Sequence, residues 1–194
     1  MSVAGKILTG FSLPYVALYG HNGTTVTYTS GQKLARGVSV SIEPESGDEN
    51  VFYADNIAAE STPGVFTNGT VTLTVDGLLV AAEKLIMGLP EADENGFMHY
   101  GDDMSIPYVG IGFICRYQSD GVTTYTPVIL RKCRFTSPSM EANTQEEEID
   151  WQTQELEAAI LRDDTANHDW KYVGGDETTE AAAEEKIKTV FSIA

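Results

Sequence analysis

Two stretches of the chain alternate apolar and hydroxyl-bearing residues with a period of two. Val38, Val40 and Ile42 are interleaved with Ser39, Ser41 and Glu43, and Val71, Leu73 and Val75 with Thr70, Thr72, Thr74 and Asp76. Successive side chains of a strand point to opposite faces, so each stretch buries an apolar face and shows a row of small hydroxyls ending in a carboxylate. Thr25, Thr27 and Thr29 repeat the theme beside Val26 and Tyr28. This period cannot be accommodated on one face of a helix, and it makes the expected fold class mainly β.

Glycine, proline, asparagine and aspartate cut the chain into short β-branched and aromatic runs, as they do between strands. Asn22-Gly23 and Asn68-Gly69 are each flanked by such runs, and each predicts a hairpin with a type I′ turn, because asparagine and glycine tolerate positive φ. Both also fit the N-glycosylation pattern, at Asn22-Gly23-Thr24 and Asn68-Gly69-Thr70, but the turn reading is preferred in a chain with no secretory signal. A third hairpin is predicted from 106–117 and 122–134 around Asp120-Gly121. Pro127 inside its second arm calls for an edge position or a bulge, since proline has no N–H for the ladder.

Two helices are expected. Residues 78–89 follow Asp76-Gly77, a candidate cap, and place Leu78, Ala82, Leu85, Ile86 and Leu89 on one face before Pro90. Near the C-terminus, Thr178 or Thr179 caps a helix reaching Ile193, with Ala183, Ile187, Val190, Phe191 and Ala194 as its stripe.

Twelve basic against twenty-nine acidic residues leave a formal net charge of −17, which opposes tight binding to a polyanion. The acids thicken toward the C-terminus, at Glu146, Glu147, Glu148 and Asp150 and then at Asp163, Asp164, Asp169, Asp176 and Glu177, read as a solvated face with Asp163-Asp164 and Asp169 at a turn. At 194 residues one domain accounts for the whole chain, with 1–13 as an N-terminal arm and 174–194 as a C-terminal helix region. No run approaches the roughly 20 apolar residues that span a bilayer, so no membrane role is expected.

Chemistry is poorly provided for. His21, His99 and His168 lie in loop contexts without zinc-ligand spacing, and Cys115 and Cys133 have no companion pair, so both are expected to be reduced and buried. Gly110-Ile111-Gly112 lacks the continuation of a dinucleotide fingerprint, and no nucleophile elbow or phosphate loop occurs. Glu43-Pro44-Glu45-Ser46-Gly47-Asp48-Glu49-Asn50 is an exposed polar loop whose acids do not follow the order of a calcium loop. The expectation is no catalytic residue, no cofactor and no metal.

The segments Gly10-Phe11-Ser12-Leu13-Pro14-Tyr15-Val16-Ala17-Leu18-Tyr19, Lys33-Leu34-Ala35-Arg36-Gly37-Val38-Ser39, Glu43-Pro44-Glu45 and Phe52-Tyr53-Ala54-Asp55-Asn56 together resemble the major tail protein family of long-tailed phages of Gram-positive bacteria. So do Leu73-Thr74-Val75-Asp76-Gly77-Leu78-Leu79 with Leu85-Ile86-Met87-Gly88, Tyr108-Val109-Gly110-Ile111-Gly112-Phe113 and Glu148-Ile149-Asp150-Trp151-Gln152-Thr153. The resemblance implies a β-sandwich or half-barrel with a flanking helix. Its copies would form stacked, six-membered rings around a tape-measure protein, joined at the ends to tail terminator and distal tail proteins. It further implies a virion protein, assembled in the host cytoplasm, through whose bore DNA passes without tight binding.

On that reading Ser39, Ser41, Thr72, Thr74 and Asp76 face the bore, where hydroxyls and carboxylates would let a duplex slide. Glu43, Glu45, Asp48 and Glu49, within the polar loop, contact neighbouring subunits or rings. Two other classes stand beside it. One is a monomeric β-sandwich module for carbohydrate or a host surface, with Tyr100, Tyr108, Tyr117 and Tyr125 as a stacking platform. The other is a hydrolase, which would need a pocket holding a perturbed carboxylate pair.

Overall fold

The computed structural model describes residues 5–102, 104–140, 144 and 151–193. The fold is mainly β, as the alternation demands. Strands β1 (Ile7–His21), β2 (Val26–Lys33), β3 (Gly37–Ser46), β4 (Asn50–Ala54), β5 (Ile57–Thr62) and β6 (Phe66–Val75) precede helix α1 (Val80–Met87). Strands β7 (Val109–Ser119), β8 (Val122–Phe135), β9 (Gln154–Leu161) and β10 (Lys171–Val173) follow, and α2 (Glu180–Phe191) closes the described chain.

Eight strands form one antiparallel sheet in the order β2-β1-β7-β8-β9-β6-β3, with β10 also paired to β8. The sheet curls: four strands lie between β1 and β3 on this path, yet a Cβ on Gly37 of β3 would overlap the ring of Phe11 in β1. The inside of the curl is the main core, where Val16, Val71, Leu73, Val75, Ile111, Leu130 and Ile160 are fully buried. On its inner side, α1 adds Ala82, Ile86 and Met87 to that core. α2 packs on the opposite side of β1, β2, β7 and β8 through Ala183, Ile187 and Phe191.

The strand β7 is therefore covered on both faces, and Val109 to Cys115 are all buried. Gly110 and Gly112 serve α2: a Cβ on the first would stand 3.0 Å from the Phe191 ring, and on the second 2.7 Å from Ile187. The glycine pair that lacks a dinucleotide continuation is thus a trench for a helix.

Several expectations change. β6 runs straight through Asn68-Gly69, which pair with Glu45 and Pro44 of β3, so there is no hairpin there. Glycine is required because a Cβ at position 69 would lie 2.8 Å from the carbonyl oxygen of Glu43. The first hairpin forms, but not on a type I′ turn: the Asn22 side chain accepts hydrogen bonds from the backbone N–H of Thr24 and Thr25 at 3.2 and 2.9 Å, closing a longer loop. Asp120 and Gly121 do adopt the paired positive φ values of 49° and 78° that type I′ needs.

The β7–β8 ladder runs unbroken past Pro127, but on its other side β10 stops opposite Val128 and the next pair, Tyr125 with Glu177, is shifted by one residue, so the expected irregularity lies there. Tyr125, two residues earlier, bonds to Glu177 across the sheet, and by alternation Pro127 turns its missing donor toward that same side, where it only accepts a bond from Gly174 N–H at 2.8 Å. Val38 is a bulge residue left outside the β3–β6 pairing and is 55% exposed, so it does not share the buried face of Val40 and Ile42.

α1 begins at Val80, capped by Leu79 without a side-chain bond, because Asp76 is engaged by Arg36 instead. α2 is capped by Thr179, whose hydroxyl accepts from Ala182 N–H at 3.3 Å, as expected; its Val190 is partly exposed. Residues 7–13, expected as part of an N-terminal arm, are the first half of β1, bonded along β7 from Ile7 to Ser12. The acidic run 146–148 with Asp150, the first four residues of that arm and Ala194 lie outside the described residues. Cys115 and Cys133 are free thiols, both buried.

Candidate functional site

The outward side of the curled sheet divides in two. α2 covers the half built from β2, β1, β7 and the start of β8; the half built from β3, β6 and β9 has no helix over it among the described residues. Register makes this bare half an ordered wall. Ser39 stands opposite Thr74, and Thr74 opposite Glu155; Ser41 stands opposite Thr72, and Thr72 opposite Glu157. A third row runs Glu43, Thr70, Ala159 and Arg134. Ser39 Oγ donates to Thr74 Oγ1 at 2.9 Å, knitting the first row together.

Behind the wall the same strands present Val71, Leu73, Val75, Leu156, Ala158 and Ile160, all fully or almost fully buried. The inner face fixes the register, and the register fixes the outer rows, because a slip by one residue would turn every hydroxyl inward. Glu155 and Glu157 project from the same side of β9 about 7 Å apart, two residues along an extended strand. Neither faces a cation in its row, although opposite-charge pairs across strands are the usual stabilising choice. The cation of the wall, Arg134, stands in the third row beside Ala159.

The sequence reading placed Ser39, Ser41, Thr72 and Thr74 on this face and missed the glutamates. Their signal was present in Gln154-Glu155-Leu156-Glu157-Ala158, a further period-two stretch. Asp76 follows the end of β6 and differs from the rest. Its carboxylate accepts from Arg36 Nε at 2.5 Å and from Arg36 N–H at 3.0 Å, and Arg36 holds it below the usual carboxylate range.

Beyond the wall the chain builds an arm. β4 and β5 form a separate hairpin joined by Asp55 and Asn56, whose φ values of 52° and 62° make a two-residue turn. At about 3.3 Å per residue the arm reaches about 26 Å from Gly47 to its tip. Only Val51 in its strands is even half-buried; Phe52 and Tyr53 are each 65% exposed and Ile57 69%. Its root is pinched: Gly47 N–H donates to Val65 at 3.0 Å, and a Cβ on Gly64 would lie 1.7 Å from the Gly47 carbonyl oxygen.

The segment expected as one exposed loop is thus split. Glu43 and Glu45 are exposed on β3, and Asp48 and Glu49 lie in the short link to the arm. The arm itself escaped notice because Asp55-Asn56 lacks the glycine of the strongest hairpin turns.

Among the described residues no three His, Cys, Asp or Glu side chains converge as metal ligands, and no helix is long and apolar enough to cross a membrane. His99 pairs with Asp93 at 3.1 Å, His168 Nδ1 lies 3.2 Å from the Asp163 carbonyl, and His21 Nδ1 accepts from Gly23 N–H at 3.3 Å. The four tyrosines are not brought to one surface. Tyr117 packs with the core inside the curl and Tyr125 with the α2 side, Tyr100 donates to Glu83 at 2.5 Å, and Tyr108 lies under Lys132.

Carboxylates also tie the two ends of the described chain together. Asp176, Glu180 and Glu184, at four-residue spacing, accept hydrogen bonds from Lys6, Ser12 and Tyr15 of the N-terminal segment. Lys6 lowers the Asp176 pKa, the Tyr15 hydroxyl lowers that of Glu184, and Lys132 lowers that of Asp164. Groups depressed in the folded state contribute stability above their unfolded value, near 4, and lose it as pH falls through the folded one. Acid titration of unfolding should therefore show wild type losing stability more steeply below about pH 4 than a triple variant, Asp164→Asn, Asp176→Asn, Glu184→Gln. Equal slopes would mean that these contacts carry no linkage.

Comparison with models of known protein families finds no match, and comparison with curated proteins finds no similar sequence.

Proposed function

We propose that this chain is a structural subunit, without enzymatic activity, of a phage tail tube, and that its copies assemble into stacked, six-membered rings through which DNA passes. The observation that carries the reading is the bare wall of β3, β6 and β9, with its rows of hydroxyl, hydroxyl and glutamate held in register by a buried apolar back. A lysine opposite Glu155 or Glu157 would add about 0.2–1 kcal/mol of stability, and threonine stands there instead. A face that lines a conduit for DNA gains from this choice, since phosphates are repelled and hydroxyls offer no ionic grip.

The edge of that wall supports assembly. Nothing among the described residues pairs with the outer side of β3, and Pro44 sits on it, where a missing donor costs no ladder bond. An unpaired edge of ten residues invites a strand from outside, and closure into a ring removes the hazard. The tape-measure protein, the tail terminator and the distal tail protein are the partners this role requires, and the virion is its location.

Negative-stain microscopy of the concentrated protein tests the reading: filaments of uniform width with a central channel are expected, and a protein that stays small at every concentration would end it. The wall has its own test. Tubes carrying Glu155→Lys and Glu157→Lys should retain duplex DNA at 50 mM salt and release it steeply as salt rises, because each cation that meets a phosphate adds close to one unit to the salt slope. Unchanged DNA retention would place these residues away from the bore.

A further inference from the structure

An apolar groove of about 540 Å³ lies between β10 and α2, walled by Pro127, Ile129, Tyr172, Val173 and Val190. Its polar lining is Thr189 with one acid and one base, Glu185 and Lys186, and Lys186 is itself paired with Glu177. We propose that this groove is the seat for the β4–β5 arm of a second copy of this chain. The inference rests on the assembly reading above and names the surface through which copies join.

Three observations favour that occupant. The first is complementarity of size and polarity. The arm leaves Phe52 and Tyr53 largely in water, and the groove's volume falls within the range that accommodates a few ring-sized groups. The second is charge. The arm and its link carry Asp48, Glu49, Asp55 and Glu60 and no base, on a chain of net charge −17. The glutamate wall would repel such a segment, whereas the groove, with its charges balanced, does not. The third is hydrogen bonding: among the described residues β10 is paired to β8 alone, and each arm strand only to the other, so an arm strand can add to β10 as a further strand.

Area explains why such a contact builds polymers. Two aromatic side chains bury about 150–250 Å² each. With Ile57, and Val65 at its root, the arm offers on the order of 500 Å² of apolar surface, below the roughly 800 Å² per partner of a stable pair. One seated arm is a weak link between two copies. Several arms between two rings act together, so that assembly is cooperative and free subunits stay apart when dilute. Because the donor and acceptor surfaces differ, the contact is head to tail and does not close on a pair.

A photo-crosslinker attached at Tyr53→Cys tests the seat, the two native thiols being buried and protected from labelling. Labelled protein is mixed with an equal amount of ¹⁵N-labelled wild type, polymerised, irradiated and mapped by mass spectrometry, with microscopy scoring polymer in the same sample. Links from the label to 172–174 or 186–190 of the ¹⁵N chain are expected. A second variant, Val173→Asp, should keep its melting temperature, because Val173 is exposed, and raise the concentration needed for polymer at least tenfold.

Links confined to one chain would mean the arm lies on its own groove, and polymer with links elsewhere or none would mean the groove takes another partner. Either result overturns the seat and leaves the tube reading standing. Absence of polymer from wild type at any concentration overturns both.

Discussion

Alanine in place of Asp163 will destabilise the folded protein by about 3–5 kcal/mol, the loss seen when one partner of a buried ion pair is removed. Asp163 is 2% exposed and Arg131 7%, and Arg131 Nε lies 2.8 Å from Asp163 Oδ2. The two atoms are close but poorly aligned for a hydrogen bond, so their attraction is mainly Coulombic. The other carboxylate oxygen accepts from Thr165 N–H at 3.1 Å and from its hydroxyl at 2.6 Å. The guanidinium is sandwiched under Tyr172, 4.1 Å from the ring centre, and the Arg131 carbonyl accepts from the Tyr28 hydroxyl at 2.7 Å.

Removing Asp163 strands a cation beneath that lid and frees the turn that leads into β10. A double replacement, Arg131→Met with Asp163→Leu, should cost less than the single alanine, since no charge is left behind. Urea midpoints at constant slope will decide. A single variant within about 1 kcal/mol of wild type would show that water reaches the pair and screens it.

The turn at 163–169 was legible as a turn, but not as the roof of a buried charge, because sequence does not say which arginine lies beneath it. The same asymmetry runs through the molecule. Period-two patterning located β3, β6 and the exposed hydroxyls, since burial of one face leaves a strand no other register. It did not reveal Val38 as a bulge, because an inserted residue keeps its place in the alternation while leaving the ladder.

Gly69 was read as a turn, and Gly110 and Gly112 only as strand residues without a fingerprint, yet all three serve close packing. Gly69 admits the backbone of β3, and Gly110 and Gly112 admit a helix; these needs belong to the tertiary structure and leave no local mark. The wall's glutamates were legible in the alternation of β9 but were not singled out among the acids of the C-terminal third. The arm was hidden by its turn chemistry, and its exposure contradicts the ordinary expectation that Phe, Tyr and Ile seek a core.

The helix trench sets the second large effect. Phe191→Ala should cost about 3–5 kcal/mol, the range for truncating a fully buried phenylalanine, because the trench floor at Gly110 and Gly112 has no side chain that could fill the space. Phe191 is fully buried, meets Tyr28 edge-on at 5.0 Å, and fills the space opened by two missing side chains. Gly112→Val should act from the other side, lifting the helix by occupying its bed, at a cost of about 1–3 kcal/mol for the overpacking alone.

The consequence reaches the proposed assembly. With α2 displaced, Ile114 and Ile129 lie open on the half of the sheet that the helix covers, and the groove beside β10 loses the wall that carries Val190. Phe191→Ala protein should therefore bind a hydrophobic dye and aggregate without order at temperatures where wild type forms regular polymer. If it instead polymerised normally while melting earlier, α2 would serve only to stabilise the sheet, and copies would meet through other surfaces.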